Sequence, residues 1–157
     1  MFSSGSSRGV LALMLFLAAC SSLSRPTSAP QPLPSPTGAW TMTLHQSGGF
    51  VGVSLTTEIS SDGRLTATDD RSGRTVQQNL PADTMRHLIQ LYSQAVIATP
   101  EGPQGACADC FLYDLQIVSG GRTTQVHADD TTLEASGASD LVTFLGQLHD
   151  TALRAAP

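Results

Sequence analysis

Lysine is absent from this chain of 157 residues, and all eight basic residues are arginine. Charge of either sign is scarce. Charged residues make up 13% of the chain, about half the roughly 25% of an ordinary soluble domain. The balance is acidic, with 13 Asp and Glu and a formal charge of −5. A surface that neutralises phosphates cannot be assembled from this inventory, so nucleic acid is not an expected partner. The motifs of common catalysts are missing as well: there is no G-x-S-x-G, no H-E-x-x-H, no phosphate-binding glycine loop and no dinucleotide fingerprint. Ser, His and Asp all occur, but a triad is a geometry and is not read from composition. The chain is too short for a multidomain enzyme. Neither enzymatic activity nor a cofactor is expected, and no internal repeat of fixed period is present.

Long hydrophobic runs are also lacking. The longest, Val10–Ala19, is half the roughly 20 residues needed to span a bilayer. It follows the single positive side chain Arg8 and ends in Leu17-Ala18-Ala19-Cys20. A charged start, a short apolar stretch and small residues at its end form a secretory leader. The last four residues resemble the bacterial lipobox. That resemblance implies that residues 1–19 are a lipoprotein signal peptide and that Cys20 receives a diacylglycerol thioether. Acyl chains contribute roughly 0.8 kcal/mol per buried CH₂, so a multiply acylated Cys20 holds a protein on a membrane. Residues 20–38 follow with Pro26, Pro30, Pro32, Pro34 and Pro36, five of the nine prolines. Spaced proline with Ser and Thr predicts an extended, solvated tether. The expected domain is 39–157, in the cell envelope on the extracytoplasmic side.

Within that domain the spacing of apolar residues changes twice. Trp40, Met42 and Leu44 alternate with polar residues, and so do Val51, Val53, Leu55, Thr57 and Ile59, which predicts two half-buried strands. Asp62-Gly63 is a hairpin signal. Short strands are expected over 64–68 and 74–78. Leu80-Pro81-Ala82-Asp83 then reads as a helix start. Met85, Leu88, Ile89, Tyr92, Ala95 and Val96 share a helical stripe, and Thr99-Pro100 is the expected stop. Phe111, Tyr113, Leu115 and Ile117 alternate along another strand. Gly120-Gly121 turns the chain, and Thr124, Val126 and Ala128 alternate along its partner. Leu141, Phe144, Leu145, Leu148 and Ala152 form the stripe of a last helix, with Ser136 or Ser139 as its cap. A meander, a helix, a hairpin and a helix predict an α+β fold: an antiparallel sheet with two helices packed on one face.

Three readings are open for Cys107-Ala108-Asp109-Cys110. A redox C-x-x-C should open a helix, whose N-terminus lowers the thiol pKa, but a strand follows here. Half of a zinc site needs two more ligands, yet His45, His87, His127 and His149 are scattered. A local disulfide in an exported protein needs nothing further and is favoured. The acid pairs Asp69-Asp70 and Asp129-Asp130 fall at strand ends, where Asp is common in solvated turns. Ser47-Gly48-Gly49-Phe50 is more distinctive, since two glycines before an aromatic permit positive φ and a close backbone approach.

The segment His45-Gln46-Ser47-Gly48-Gly49-Phe50-Val51-Gly52, followed by a strand and by Leu80-Pro81 opening a helix, resembles emfourin-type domains. So do the Cys110-Phe111-Leu112-Tyr113-Asp114-Leu115 strand, the Gly-Gly turn after it and the Leu141–Leu148 helix. The resemblance spans about residues 40–150. It implies a proteinaceous inhibitor of thermolysin-like (M4) metalloproteases, enzymes that favour a bulky apolar side chain just after the scissile bond. Ser47, Gly48, Gly49, Phe50 and Leu80 are then the protease-contact candidates, with Phe50 and Leu80 as the two exposed apolar groups. The expected partner is a secreted or envelope metalloprotease, and the membrane is engaged through the N-terminal lipid. The leader, the Pro-rich tether and Cys107/Cys110 are additions to the family pattern. The alternative is a non-inhibitory structural or protein-binding lipoprotein of the same fold.

The leader generates a direct expectation. Cells expressing the chain should hold it in the membrane fraction, and Cys20→Ser should move it to the soluble extracytoplasmic fraction. Fractionation and intact mass measure this, because acylation adds the mass of its acyl chains to the mature protein.

Overall fold

Period-two alternation resolves into a six-stranded antiparallel sheet. The computed structural model describes residues 31–32, 38–98 and 107–155. The expected leader 1–19 and Cys20 lie outside the described residues, as does the tether apart from 31–32 and 38. The two-residue strand β1 (Gln31–Pro32) precedes a meander of β2 (Trp40–Gly48), β3 (Val53–Ser60), β4 (Arg64–Asp69) and β5 (Arg74–Asn79). Helix α1 (Ala82–Gln94) leads into the short β6 (Val96–Ile97). The hairpin β7 (Phe111–Ser119) and β8 (Arg122–Asp129) follows, and α2 (Ser139–Ala155) closes the chain. The spatial order is β5-β4-β3-β2-β7-β8. The late hairpin therefore adds to the free edge of β2, and the first strand of the meander ends up inside the sheet. This is the α+β arrangement that the pattern predicts.

The register sorts the two faces. Met42 stands opposite Ile59 and Ile117, and Leu44 opposite Thr57 and Leu115. These side chains, with Leu65, Ala67 and Val126, are buried on one face. Helix α1 covers that face with Leu88 and Tyr92, and α2 with Leu141, Val142, Leu145 and Ala152, all within one cluster. Each such large side chain contributes about 1.5–3 kcal/mol on burial. The opposite face carries Thr41, Thr43, His45, Thr56, Gln116 and His127 and is open. No helix among the described residues is long and apolar enough to cross a membrane.

Tertiary pairing moves several expected boundaries. Helix α1 ends at Gln94, before Thr99-Pro100, which lies outside the described residues. Ala95 turns extended at φ −67° and ψ 127°. Val96 and Ile97 then pair antiparallel with Pro32 and Gln31. These β-branched residues pack poorly in a helix and well in a strand, so a strand partner captures them. Val96 is consequently exposed and does not extend the helical stripe. Val51 sits in the turn before β3 and is not part of the strand. Ser139 is the first residue of α2, whereas buried Ser136 accepts the Ala138 N–H at 3.2 Å and donates to the Leu133 carbonyl at 2.6 Å.

His149 lies on the buried side of α2, between apolar stripe positions, at 2% exposure. Its Nδ1 is 3.0 Å from Thr57 Oγ1. Burial pushes its pKa below the ordinary 6.5; Asp150, the Thr56 carbonyl, Asp69 and Asp70 oppose that shift in part. The unfolded chain therefore takes up a proton near pH 6.5 that the folded chain refuses, and stability falls as pH drops through that value. Thermal unfolding between pH 8 and 5 should show this decline, and His149→Gln should flatten it.

Candidate functional site

Antiparallel order brings four segments to one end of the sheet: the β2–β3 turn, the β4–β5 turn, the stretch Cys107–Cys110 and the turn after β8. Ser47 and Gly48 end β2, with Ser47 opposite Ser54 and Leu112 and Gly48 opposite Val53 and Phe111. The chain entering β7 passes so close that only glycine fits. A Cβ on Gly48 would lie 2.6 Å from the Cys110 carbonyl oxygen, and one on Gly49 would lie 2.6 Å from Phe111 Cε1. Both residues also take positive φ, +93° and +68°. The local sequence is therefore dictated by a neighbour more than sixty residues away, and not by the turn alone.

The hairpin is braced from two directions. On one side the Gly49 N–H donates to the Cys110 carbonyl at 3.0 Å. That carbonyl belongs to a disulfide, Cys107–Cys110, with an Sγ–Sγ distance of 2.09 Å. The disulfide reading of these cysteines is the one the structure displays. The same strand start is fixed by Asp130, which accepts the Phe111 N–H at 2.8 Å and the Tyr113 hydroxyl at 2.8 Å. Burial and Asp130 push the Tyr113 hydroxyl up to about 12, so it remains a donor at neutral pH. On the other side the Arg71 guanidinium, from the β4–β5 turn, donates to the Val51 carbonyl and to the Gly52 carbonyl at 2.8 Å. A further bond, Gly52 N–H to the Gly49 carbonyl at 2.9 Å, closes the turn. Held this way, the tip presents Phe50 at 90% exposure and Val51 at 68%.

The candidate residues do not all assemble. Ser47, Gly48, Gly49 and Phe50 form the hairpin. Leu80 is at the opposite end of the sheet, a strand length of roughly 25 Å away. It is not the exposed group expected: its side chain packs against the core, and its N–H donates to the Gly63 carbonyl at 2.8 Å. Leu80, half-buried, secures the approach to α1 and stands apart from the hairpin candidates. Cys20 lies outside the described residues.

Two residues of the brace, Arg71 and Asp130, sit in stretches that read only as polar turns. Nor is Asp129 solvated as expected. It is fully buried, and its Oδ1 accepts the N–H and hydroxyl of both Thr131 and Thr132 at 2.6–3.0 Å. The Asp-x-Thr-Thr spacing carries that signal, because a carboxylate followed by hydroxyls closes its own turn. Among the described residues no three His, Cys, Asp or Glu side chains converge as a metal-binding group.

No protein-family model matches this chain, and no curated protein matches it.

The brace separates two kinds of substitution. Gly49→Ala places a Cβ against Phe111 at positive φ and should destabilise the fold by about 1–3 kcal/mol. Phe50→Ala removes a side chain that touches solvent and should change stability by less than about 0.5 kcal/mol. Urea unfolding of both variants measures the difference.

Proposed function

We propose that the chain is an envelope lipoprotein whose domain binds and inhibits a thermolysin-like metalloprotease, with Phe50 as the side chain delivered to the enzyme. The observation that carries this reading is Phe50 itself: a large apolar ring, 90% exposed, on a hairpin held by hydrogen bonds from both flanks. The fold gains nothing from leaving that ring in water. Seating it in an apolar pocket contributes about 1.5–3 kcal/mol to association. An ordered loop forfeits little conformational entropy when it docks, which distinguishes a tight inhibitor from a flexible substrate. The similarity of His45–Gly52 to emfourin-type domains supports a protease of this class, since such enzymes prefer a bulky apolar group after the scissile bond.

The anchor supports the location. Cys20, at the end of a lipobox-like sequence, puts the domain on the extracytoplasmic side, and the Pro-rich tether gives it reach. The partner is accordingly a secreted or envelope protease, and the domain acts by occupying a cleft and performs no chemistry itself.

The purified chain at micromolar concentration should inhibit at least one enzyme in a panel of thermolysin-like proteases. Phe50→Ala should raise the inhibition constant at least about tenfold while leaving the unfolding curve in place. Full activity across the panel would favour the non-inhibitory binding lipoprotein instead.

A further inference from the structure

The braced end of the sheet also borders a half-open hollow. Where α2 passes over β2 and β3, a cavity of about 180 Å³ remains. Val53, Leu55 and Phe111 supply apolar walls, and α2 contributes Gly146. Gly146 is half-buried, and a Cβ built on it meets nothing within 4 Å, so a side chain at this position would extend into the open space of the hollow. An aliphatic hollow of about 150 Å³ is already large enough to hold benzene.

The polar part of the lining is made by Gln46, Thr57, His149 and Asp150. His149 commits Nδ1 to Thr57, but its buried Nε2 has no hydrogen-bond partner. A buried polar atom left in that state invites a partner, because its desolvation is uncompensated. No arginine lines the space, and Asp150 does. An anion is therefore disfavoured, and a neutral group is the better match.

We propose that this cavity is a binding site for a small neutral molecule of about one ring, bearing a single hydroxyl. The ring lies against Val53, Leu55 and Phe111, and the hydroxyl bonds to His149 Nε2. A hydroxyl both donates and accepts, so it satisfies Nε2 whichever ring nitrogen of His149 carries the proton. The wall residue Phe111 is also the ring that lies over Gly49. The ligand thus touches the side chain that positions the Phe50 hairpin. The inference rests on the cavity and does not require that the partner be a protease.

The test is titration of the purified full-length chain with p-cresol and with toluene, followed by ¹H–¹⁵N NMR that includes the His149 ring nitrogens. Saturable p-cresol binding is expected, with a shift of the His149 Nε2 resonance. Toluene, lacking the hydroxyl, should bind about 3- to 10-fold more weakly. Gly146→Leu fills the hollow and should weaken p-cresol at least tenfold. Gly146→Ala, a better helix former than glycine, keeps the helix and should weaken it about threefold; it decides the matter if the leucine variant does not fold. Absence of saturable binding, equal binding of the two probes, or affinity unchanged in both Gly146 variants would each overturn the proposal. Protease inhibition is not read in this experiment, so its failure leaves the Phe50 reading intact.

Discussion

Strand β2 is bonded on both flanks along nearly its whole length, to β3 on one side and β7 on the other. The other strands of the six-stranded sheet take their register, directly or through a neighbour, from this pairing. It carries Trp40, Met42 and Leu44 into the core and Thr41, Thr43 and His45 to the open face. A slip of one residue would exchange the two sets and bury the polar one, so the register is strongly specified. Both helices then dock on the face that β2 defines. The last pairs of the strand, at Ser47 and Gly48, bring the turn into β3 beside the start of β7. The crowding of Gly48 and Gly49 against Cys110 and Phe111 is the direct consequence.

That crowding explains why an exposed phenylalanine can be held in one place. A glycine-rich turn alone is permissive. Here its freedom is removed by a carbonyl on one flank and a guanidinium on the other, with a disulfide and Asp130 fixing the carbonyl. The rest of the surface accounts for the scarcity of charge. Thr41, Thr43, Thr56, Thr66, Thr68, Gln77, Gln116 and Gln125 occupy outward positions of the open face. Of the few charges present, Arg64 pairs with Asp62, and the Asp114 carboxylate is hydrogen-bonded to the His127 ring. Hydrogen bonds from Ser60 and Arg64 hold the Asp62 carboxyl at about 2. Such a surface exerts little long-range pull on a partner. Recognition then depends on shape and on the apolar tip.

Much of this was legible in the chain. Period-two alternation located β2 through β5, β7 and β8 to within a few residues, and helical spacing located α1 and α2. The glycine pair before Phe50 marked the hairpin. What was not legible shares one cause: it depends on a neighbour distant in sequence. Val96 fits a helical stripe until a strand partner for it is known. Leu80 looks like a free apolar group until the core beneath it is present. Arg71 and Asp130 resemble any polar residue in a turn until the carbonyls and amides they serve are placed beside them. His149 falls between apolar stripe positions and is recognised as buried only when Thr57 is found opposite.

The sequence by itself determined the alternating faces, the α+β class and the turns. These follow from short-range rules, because residues two, three or four apart decide which face a side chain takes. Only the tertiary structure decided that the late hairpin joins β2 and not β5, that Gly48 and Gly49 answer to Cys110 and Phe111, and that Phe50 rather than Leu80 is offered to solvent. Periodicity says which side of an element faces inward. It does not say which element lies there, since antiparallel pairing at either edge of the meander would satisfy the same alternation.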